Sequence, residues 1–448
     1  MSFSAYPSYR QSGIDWLGEI PADWRVQKFR FAFRESGEKI ESEVIGPMLS
    51  VSGYRGIEVK EYEDDNQRRA EEDLIGYRIV RSGQLVVNTM WLNYAGLGVS
   101  AHEGHVSPAY RAYWFTDRSA APRFIHYLLR SSIYVQGYTQ LLTGIRPNSL
   151  QMSRADLMDF PVLLPPLPVQ TAIAAFLDRE TAKVDALIEE QRRLVALLKE
   201  KRQAAISYAV TKGLDPHAPM KDSGIEWLGE VPAHWDVSRL KDHASLLTSG
   251  SRGWGDFYSD EGPVFVRIGN MTRDTIDLDL GALQRVAIPD DAEGSRTRLE
   301  AGDVLFSITA DLGSVAVVPT GFGEAYVSQH VALCRLSRNA PASRWIAYQA
   351  LSLLGKLHFS LQAYGGTKIQ LSLSDLATMP VLVPPEAEQN ALLTCVETQI
   401  AEYRTLEHQA EVSMHLLRER RAALISAAVT GKIDVRGRVV ADQEREAA

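Results

Sequence analysis

The constraint that outweighs all others in this sequence is that it is written twice. Residues 12–24, SGIDWLGEIPADW, recur as SGIEWLGEVPAHW at 223–235, an offset of 211 with three replacements. The frame continues downstream: Gly83-Gln84-Leu85-Val86 resembles Gly302-Asp303-Val304-Leu305, Val106-Ser107 resembles Val327-Ser328, and APRFIHY at 121–127 matches ASRWIAY at 342–348. LQMSRADLMDFPVLLPP at 150–166 matches IQLSLSDLATMPVLVPP at 369–385, and KEKRQAAISYAVTKGLD at 199–215 matches RERRAALISAAVTGKID at 418–434, both at an offset of 219. Correspondence fails over 27–80 against 238–300, and at 142–149 against 363–368. A scaffold kept in frame with particular loops changed suits two halves doing similar work on different targets. The competing explanation is a duplicated fold that has simply drifted.

Within each copy, short apolar and β-branched runs lie between Gly-containing turns: 85–91, 304–309, 314–319 and 326–336 read as strands. Segments 122–135 and 342–359 carry apolar residues at helical spacing and read as helices. Each globular part is therefore α+β, from about 12 to 165 and from 223 to 384. After Pro165-Pro166 and Pro384-Pro385 the texture changes, and two long helices follow. Alternating steps of four and three give Ile173, Leu177, Glu180, Val184, Leu187, Gln191, Leu194, Leu198, Lys201 and Ala205. The positions 219 later are Leu392, Val396, Gln399, Tyr403, Leu406, Ala410, Ser413, Leu417, Arg420 and Leu424. Sustained spacing of this kind predicts a coiled-coil seam.

Each helix buries its stripe most simply on the other. An antiparallel pair is favoured, because it relates the copies by a pseudo-two-fold axis and puts one globular domain at each end of a spacer. A helix of roughly 45 residues is about 65 to 70 Å long. The expected division is 1–165, a first globular domain; 166–213, a first spacer helix; 214–384, a second globular domain; 385–434, a second spacer helix; and 435–448, a tail.

Composition restricts function mainly by exclusion. The first residues lack the apolar run of a signal peptide and no stretch of eighteen uninterrupted apolar residues exists, so no membrane association and a cytoplasmic location are expected. Cys334 and Cys395 are the only cysteines, too few for a disulfide framework or a Cys-based zinc cluster, and both are expected to be buried, inert thiols. The ten histidines show no ligand spacing. The formal charge of −8 argues against a basic footprint over the whole chain, but acidic residues crowd into 58–73, which reads as a solvated loop, and a local basic groove can coexist with them.

WLGEIPADW at a domain start, the PVLLPP and PVLVPP exits, the long helices and the two-copy layout together resemble the specificity subunits of Type I restriction-modification systems. The resemblance covers nearly the whole chain. It implies that each globular part is a target-recognition domain reading one half of a bipartite site in double-stranded DNA. It further implies that the helices form the antiparallel spacer and dock two methyltransferase subunits, to which two motor-nuclease subunits can be added. The chain itself would be non-catalytic and need no cofactor or metal. A rod carrying two readers would also set half-sites at fixed spacing on a duplex, as dimeric readers do.

Base reading requires polar or cationic side chains on exposed loops. The first candidate is the pair of loops containing Thr143, Gly144, Arg146 and Asn148 in one copy and Gly366, Thr367 and Lys368 in the other. The second is the glycine-rich loop with Ser251, Arg252 and Trp254. Asn88, Trp91, Gln329 and His330 sit at strand ends near the same framework and read as structural. Trp16, Trp24, Trp227 and Trp235 recur in the framework and read as packing residues. The basic clusters Lys199-Lys201-Arg202 and Arg418-Arg420-Arg421 lie near helix C-termini, where solvated charges complement the helix dipole. Two rivals were weighed. A single-chain DNA-modifying enzyme would show an Asn/Asp-Pro-Pro-aromatic tetrapeptide or a phosphate-cradling glycine loop, and neither is present. A coiled-coil adaptor binding protein alone would leave the divergent loops without purpose.

Overall fold

The structure, a computed structural model, describes residues 3–62, 70–144, 150–250, 252–288, 296–365 and 369–437. The chain forms two compact units: Met1–Glu190 with Val412–Ala448, and Gln191–Glu411. Both are α+β, and both are built on the same frame. In the first unit a four-stranded antiparallel sheet runs in the order Phe33–Glu35, Tyr110–Phe115, Leu85–Asn88, Leu97–Val99. In the second the order is Ala244–Ser249, Val331–Leu336, Val304–Ser307, Val315–Val317.

The duplicated motif explains itself locally. Tyr9–Gln11 pairs with Glu19–Pro21, and Met220–Asp222 pairs with Glu230–Pro232, each a two-stranded ribbon. Its turn is closed by the Ser12 N–H on the Gly18 carbonyl at 3.0 Å and by the Ser223 N–H on the Gly229 carbonyl at 3.0 Å. The second tryptophan of each copy, Trp24 or Trp235, is fully buried. In each unit it packs on the glycine that ends a long helix: Gly431 lies against Trp24 and Gly213 against Trp235, with φ of 73° and 75°. The left-handed backbone favours glycine at both places, and at Gly431 a Cβ would also stand only 2.4 Å from Pro21.

The exits also match. Pro161–Leu164 pairs with Arg25–Lys28, and Pro380–Val383 pairs with Asp236–Arg239. Their Val-Leu runs are buried in the main cores, which explains a continuous apolar run in so short a strand. Beyond Phe33–Glu35 and Ala244–Ser249, which take the same place in the two main sheets, the described residues of 27–80 and 238–300 fold differently. The first unit carries a hairpin of Leu49–Ser52 with Gly56–Val59 and a ribbon of Arg78–Val80 with Gly104–Val106. In their place the second carries a three-stranded sheet in which Tyr258–Val266 runs parallel to Ala325–Val327. Of the acidic stretch read as a loop, 56–59 is strand and 63–69 lies outside the described residues.

Each segment read as a single helix is two. Pro122–Arg130 is followed by Ser132–Thr139, and Ser343–Leu351 by Leu353–Gln362. The breaks fall at Ser131 and Ser352, which are buried and extended and donate their hydroxyls to the carbonyls of Leu128 at 2.7 Å and Gln349 at 2.6 Å. A serine bonded back to the preceding turn competes with helix continuation.

The long helices are Leu167–Lys212, 46 residues, and Glu386–Val429, 44 residues. The first unit contains the leading half of the first helix and the trailing half of the second, and the second unit the converse halves. Opposite ends share a unit only when the helices run antiparallel. Their seam differs in register from the alternating four-three pattern. In the first unit Ile173, Leu177, Thr181, Val184 and Ile188 are buried, and in the second Leu198, Arg202, Ile206 and Ala209. Within each unit these steps of 4-4-3 depart from the strict alternation of four and three. Leu187 and Leu194 are consequently exposed. A strict heptad drifts about 20° per repeat around a straight helix, which is why Glu180, Leu187 and Lys201 fall off the stripe.

Each long helix holds its unit's globular part through equivalent contacts. Ala121 and Ala342, which precede the short helices, have no capping side chain of their own. Gln170 and Gln389 supply the cap instead, accepting from their N–H groups at 2.8 Å in both units. Two turns along, Asp178 receives Arg123 and Tyr127, each at 2.7 Å, and Glu397 receives Arg344 at 2.5 Å.

Candidate nucleic-acid interface

The loops chosen from the sequence share one construction. Thr143 and Gln151 form a two-residue antiparallel bridge, as do Tyr364 and Gln370. The residue after each bridge is tied to the end of a central strand: Met152 donates to the Thr89 carbonyl at 3.1 Å, and Leu371 to the Ile308 carbonyl at 2.9 Å. Rigid stems of this kind position loop side chains on the scaffold. Thr143 and Gly144 are exposed at the stem of the first loop. Arg146 and Asn148, together with Gly366, Thr367 and Lys368 of the second loop, lie outside the described residues.

The strand ends beside these stems differ between units. Asn88 is buried and accepts the Met90 N–H at 3.1 Å, a structural role. Three residues on, Trp91 and Tyr94 are 53% and 56% exposed, with ring centroids 5.8 Å apart. Their turn closes through Ala95 at φ 54° and through Gly96, where a Cβ would stand 2.5 Å from the Trp91 carbonyl oxygen. The corresponding turn of the second unit keeps the left-handed alanine, Ala310 at φ 60°, but has no aromatics. Thr309 there meets His330 Nδ1 at 2.9 Å, with exposed Gln329 alongside.

A basic patch invisible in the net charge lies beside the first loop. Glu35 takes three arginines: Arg111 at 3.0 Å, Arg154 at 3.0 Å and Arg78 at 3.6 Å. Burial pushes the Glu35 carboxyl up, but hydrogen bonds from Arg154 and Arg111 outweigh it and hold the group below its ordinary range. One carboxylate against three guanidiniums leaves a surplus of positive charge, and Arg154 stands exposed three residues after Gln151, the bridge partner of the loop. Neither Tyr94 nor this cluster emerges from sequence reading. The pairing of strand Phe33–Glu35 with strand Tyr110–Phe115 brings up Arg111, while Arg78 arrives on the strand Arg78–Val80 and Arg154 on the helix Arg154–Asp159, all from positions far apart in the chain.

Two sequence expectations need correction. Trp254 is not a surface aromatic: it is buried, stacked on Phe265 at 5.7 Å and tilted against Tyr326 at 5.4 Å. Its neighbour Arg252 is exposed, and Ser251 is outside the described residues. The basic clusters are likewise not uniformly solvated. Lys199, Lys201, Arg418 and Arg420 are exposed, whereas Arg202 is buried against Glu407 and Asp274 at 3.0 and 3.1 Å, and Arg421 pairs with Asp185 at 2.9 Å. Position 202 belongs to the 4-4-3 stripe, so its charge has to be neutralised inside the seam.

Trp16 packs on Tyr134 and Phe160, and Trp227 lies near His358, in keeping with a packing role for the framework tryptophans. Cys334 is buried, and burial pushes its thiol up to about 12. Among the described residues, no group of three or more metal-ligating side chains comes together, and no helix is long and apolar enough to cross a membrane.

No family model matches the chain. It is 26% identical over 331 residues to the Type I restriction enzyme EcoKI specificity subunit of Escherichia coli (strain K12), covering 70% of this chain and 66% of that protein. It is 22% identical over 329 residues to the StySPI specificity subunit of Salmonella potsdam, covering 72% and 68%. The match thus spans about two thirds of the length of these relatives. A solved chain from work on complex assembly and conformational transition of the type I R-M system superposes with a TM-score of 0.65 at 18% identity, covering 92% of this chain and 99% of that one. In sequence the chain is thus similar to Type I specificity subunits, and in fold to a chain of a type I R-M system.

Proposed function

We propose that this chain is the sequence-reading subunit of a Type I restriction-modification complex, each unit recognising one half of a split site in double-stranded DNA. The observation that carries the reading is one frame built twice with different surfaces at equivalent loop stems. The first unit offers Trp91, Tyr94 and the arginines gathered on Glu35. The second offers Gln329 and His330.

Residues 1–165 and 214–384 act as readers in this account, and 166–213 with 385–434 as the spacer that docks two methyltransferase subunits, with motor-nuclease subunits joining them. Arg146, Asn148, Thr367 and Lys368 make base or phosphate contacts, and the stems at Thr143 and Tyr364 fix their register. The chain performs no chemistry itself. Selection from a random duplex library by the chain assembled with its methyltransferase subunits should yield two defined half-sequences separated by a fixed gap. Recovery of one contiguous site, of no preferred sequence, or methyl transfer by the chain alone would overturn the assignment.

A further inference from the structure

The first unit encloses a cavity of about 750 Å³ whose lining is dominated by arginine. Arg55, Arg123, Arg130, Arg418 and Arg421 face it, against two carboxylates, Asp178 and Asp185. In a chain of net charge −8 this is a concentrated excess of the opposite sign. Arg55, Arg123 and Arg421 have acidic partners in Glu58, Asp178 and Asp185. Arg130 does not. Its Nη1 donates to the carbonyls of Ala95 at 3.0 Å and Leu97 at 2.5 Å, and its Nη2 to those of Ser52 at 3.1 Å and Gly53 at 2.9 Å.

Four carbonyls accept from the terminal nitrogens of half-buried Arg130 without cancelling its charge, and Glu58 offsets that charge only from a distance. Burial and then the neighbouring Arg421 pull the Arg130 pKa down to about 10, a sign that the two guanidiniums repel. Arg421 also lies over the ring of Tyr54, 4.4 Å from its centroid, so the wall combines cations with an aromatic surface. His126 adds no acid. Burial, with Arg130 and Arg123 nearby, lowers it to about 3, so it is neutral at pH 7. Its Nδ1 accepts the Val99 N–H at 3.3 Å, which leaves Nε2 as a donor.

The frame does not require these arginines. A cavity of the same size, about 750 Å³, sits at the corresponding place in the second unit, bounded by the first long helix and the short helix after Ser352. Its wall is largely apolar, with Trp227, Leu228, Leu353, Leu354 and Leu357, and its charges are three lysines, Lys199, Lys212 and Lys356, against Glu200 and Asp274, with no arginine.

We propose that the arginine-lined cavity of the first unit binds a phosphate-bearing ligand of nucleotide size. The phosphates would be held by Arg418 and Arg421, and the charge of Arg130 would be neutralised behind them. The volume falls in the range of about 300 to 1,000 Å³ usual for small-ligand sites. Free nucleotides and the DNA backbone carry the same chemistry, and the experiment separates them.

Tripolyphosphate, ATP and adenosine are titrated into the full chain by calorimetry, without DNA, so the outcome does not depend on whether the chain reads sequence. The wild type is compared with Arg418→Ala, Arg418→Glu and the matching change in the other unit, Lys199→Ala. Tripolyphosphate and ATP should bind, adenosine should bind at least tenfold more weakly, and Arg418→Ala should weaken the first two at least tenfold with an unchanged melting curve. Lys199→Ala should leave them as they are. Displacement of tripolyphosphate by a duplex would assign the phosphate to the DNA backbone, and failure to displace it would assign a free nucleotide. Absence of tripolyphosphate and ATP binding at millimolar concentration, or binding that survives Arg418→Glu, overturns the proposal.

Discussion

Replacing Glu407 by alanine removes the carboxylate that faces both oxygens to Arg202 Nη1 at 3.0 Å. The side chains are 5% and 12% exposed, so the substitution strands a guanidinium inside the helix seam of the second unit. Breaking one partner of such a pair costs about 3 to 5 kcal/mol. Asp274 still reaches Arg202 at 3.1 Å and, being half-exposed, keeps part of the charge compensated. A loss of about 2 to 3 kcal/mol is therefore expected. For a unit of this size each kcal/mol lowers the melting temperature by about 2 to 4 °C, giving a fall of roughly 5 to 10 °C. Differential scanning calorimetry reads the shift, with hydrogen exchange assigning the affected transition to Gln191–Glu411. The double change Arg202→Leu with Glu407→Leu should recover most of the loss, because an apolar pair fills the seam without desolvating charge. An unshifted transition in the single variant, or a double variant no better than the single, would refute the seam as described.

Four further outcomes follow from the same structure. Below about pH 6.5 the first unit should lose stability progressively, by up to about 1.4 kcal/mol per pH unit until pH 3, because the unfolded chain protonates His126 while the folded chain, lowered to about 3, does not. His126→Gln should flatten that slope in acid-titrated unfolding, and an unchanged slope would contradict the burial argument. Thiol labelling of the native chain should modify the half-exposed Cys395 and spare the buried Cys334, and equal rates would count against it. Arg146→Ala should weaken recognition of one half-site only, and Lys368→Ala of the other, by about 1 to 3 kcal/mol each in competition binding. Equal losses on specific and random DNA would reassign them to phosphate contact. On the proposed function, Arg154→Ala should weaken binding to all sequences and reduce its salt dependence, since the surplus positive charge around Glu35 would attract phosphate whatever the base sequence.

The long helices were legible because forty residues without proline or internal glycine permit little else, and both begin directly after the Pro-Pro exits. Their seam register was not. Reading the seam from apolar residues alone fails when Thr181 and Arg202 occupy inward positions and Leu187 and Leu194 outward ones. The breaks at Ser131 and Ser352 were hidden for a similar reason, since apolar periodicity continues across a hinge made by one hydroxyl. Trp254 misled because a glycine-flanked tryptophan looks exposed until Phe265 and Tyr326 arrive from distant strands to cover it. The Glu35 cluster shows the same limit: the arginines at 78, 111 and 154 come from three separate elements that meet only in the tertiary fold. Sequence periodicity reports a residue's own element well and its partners from other elements poorly.

The central claim, that two equivalent units independently read two half-sites across a pseudo-symmetric spacer, meets its most direct test in a chimera. Residues 223–384 are replaced by a second copy of 12–165, leaving both long helices intact, and methylated positions are mapped in cells that supply the methyltransferase subunits. The account predicts a new palindromic target in which the first half-sequence appears twice, inverted, with the original gap nearly unchanged. Retention of the original asymmetric target, or a target without inverted symmetry from a folded and assembled chimera, would contradict it.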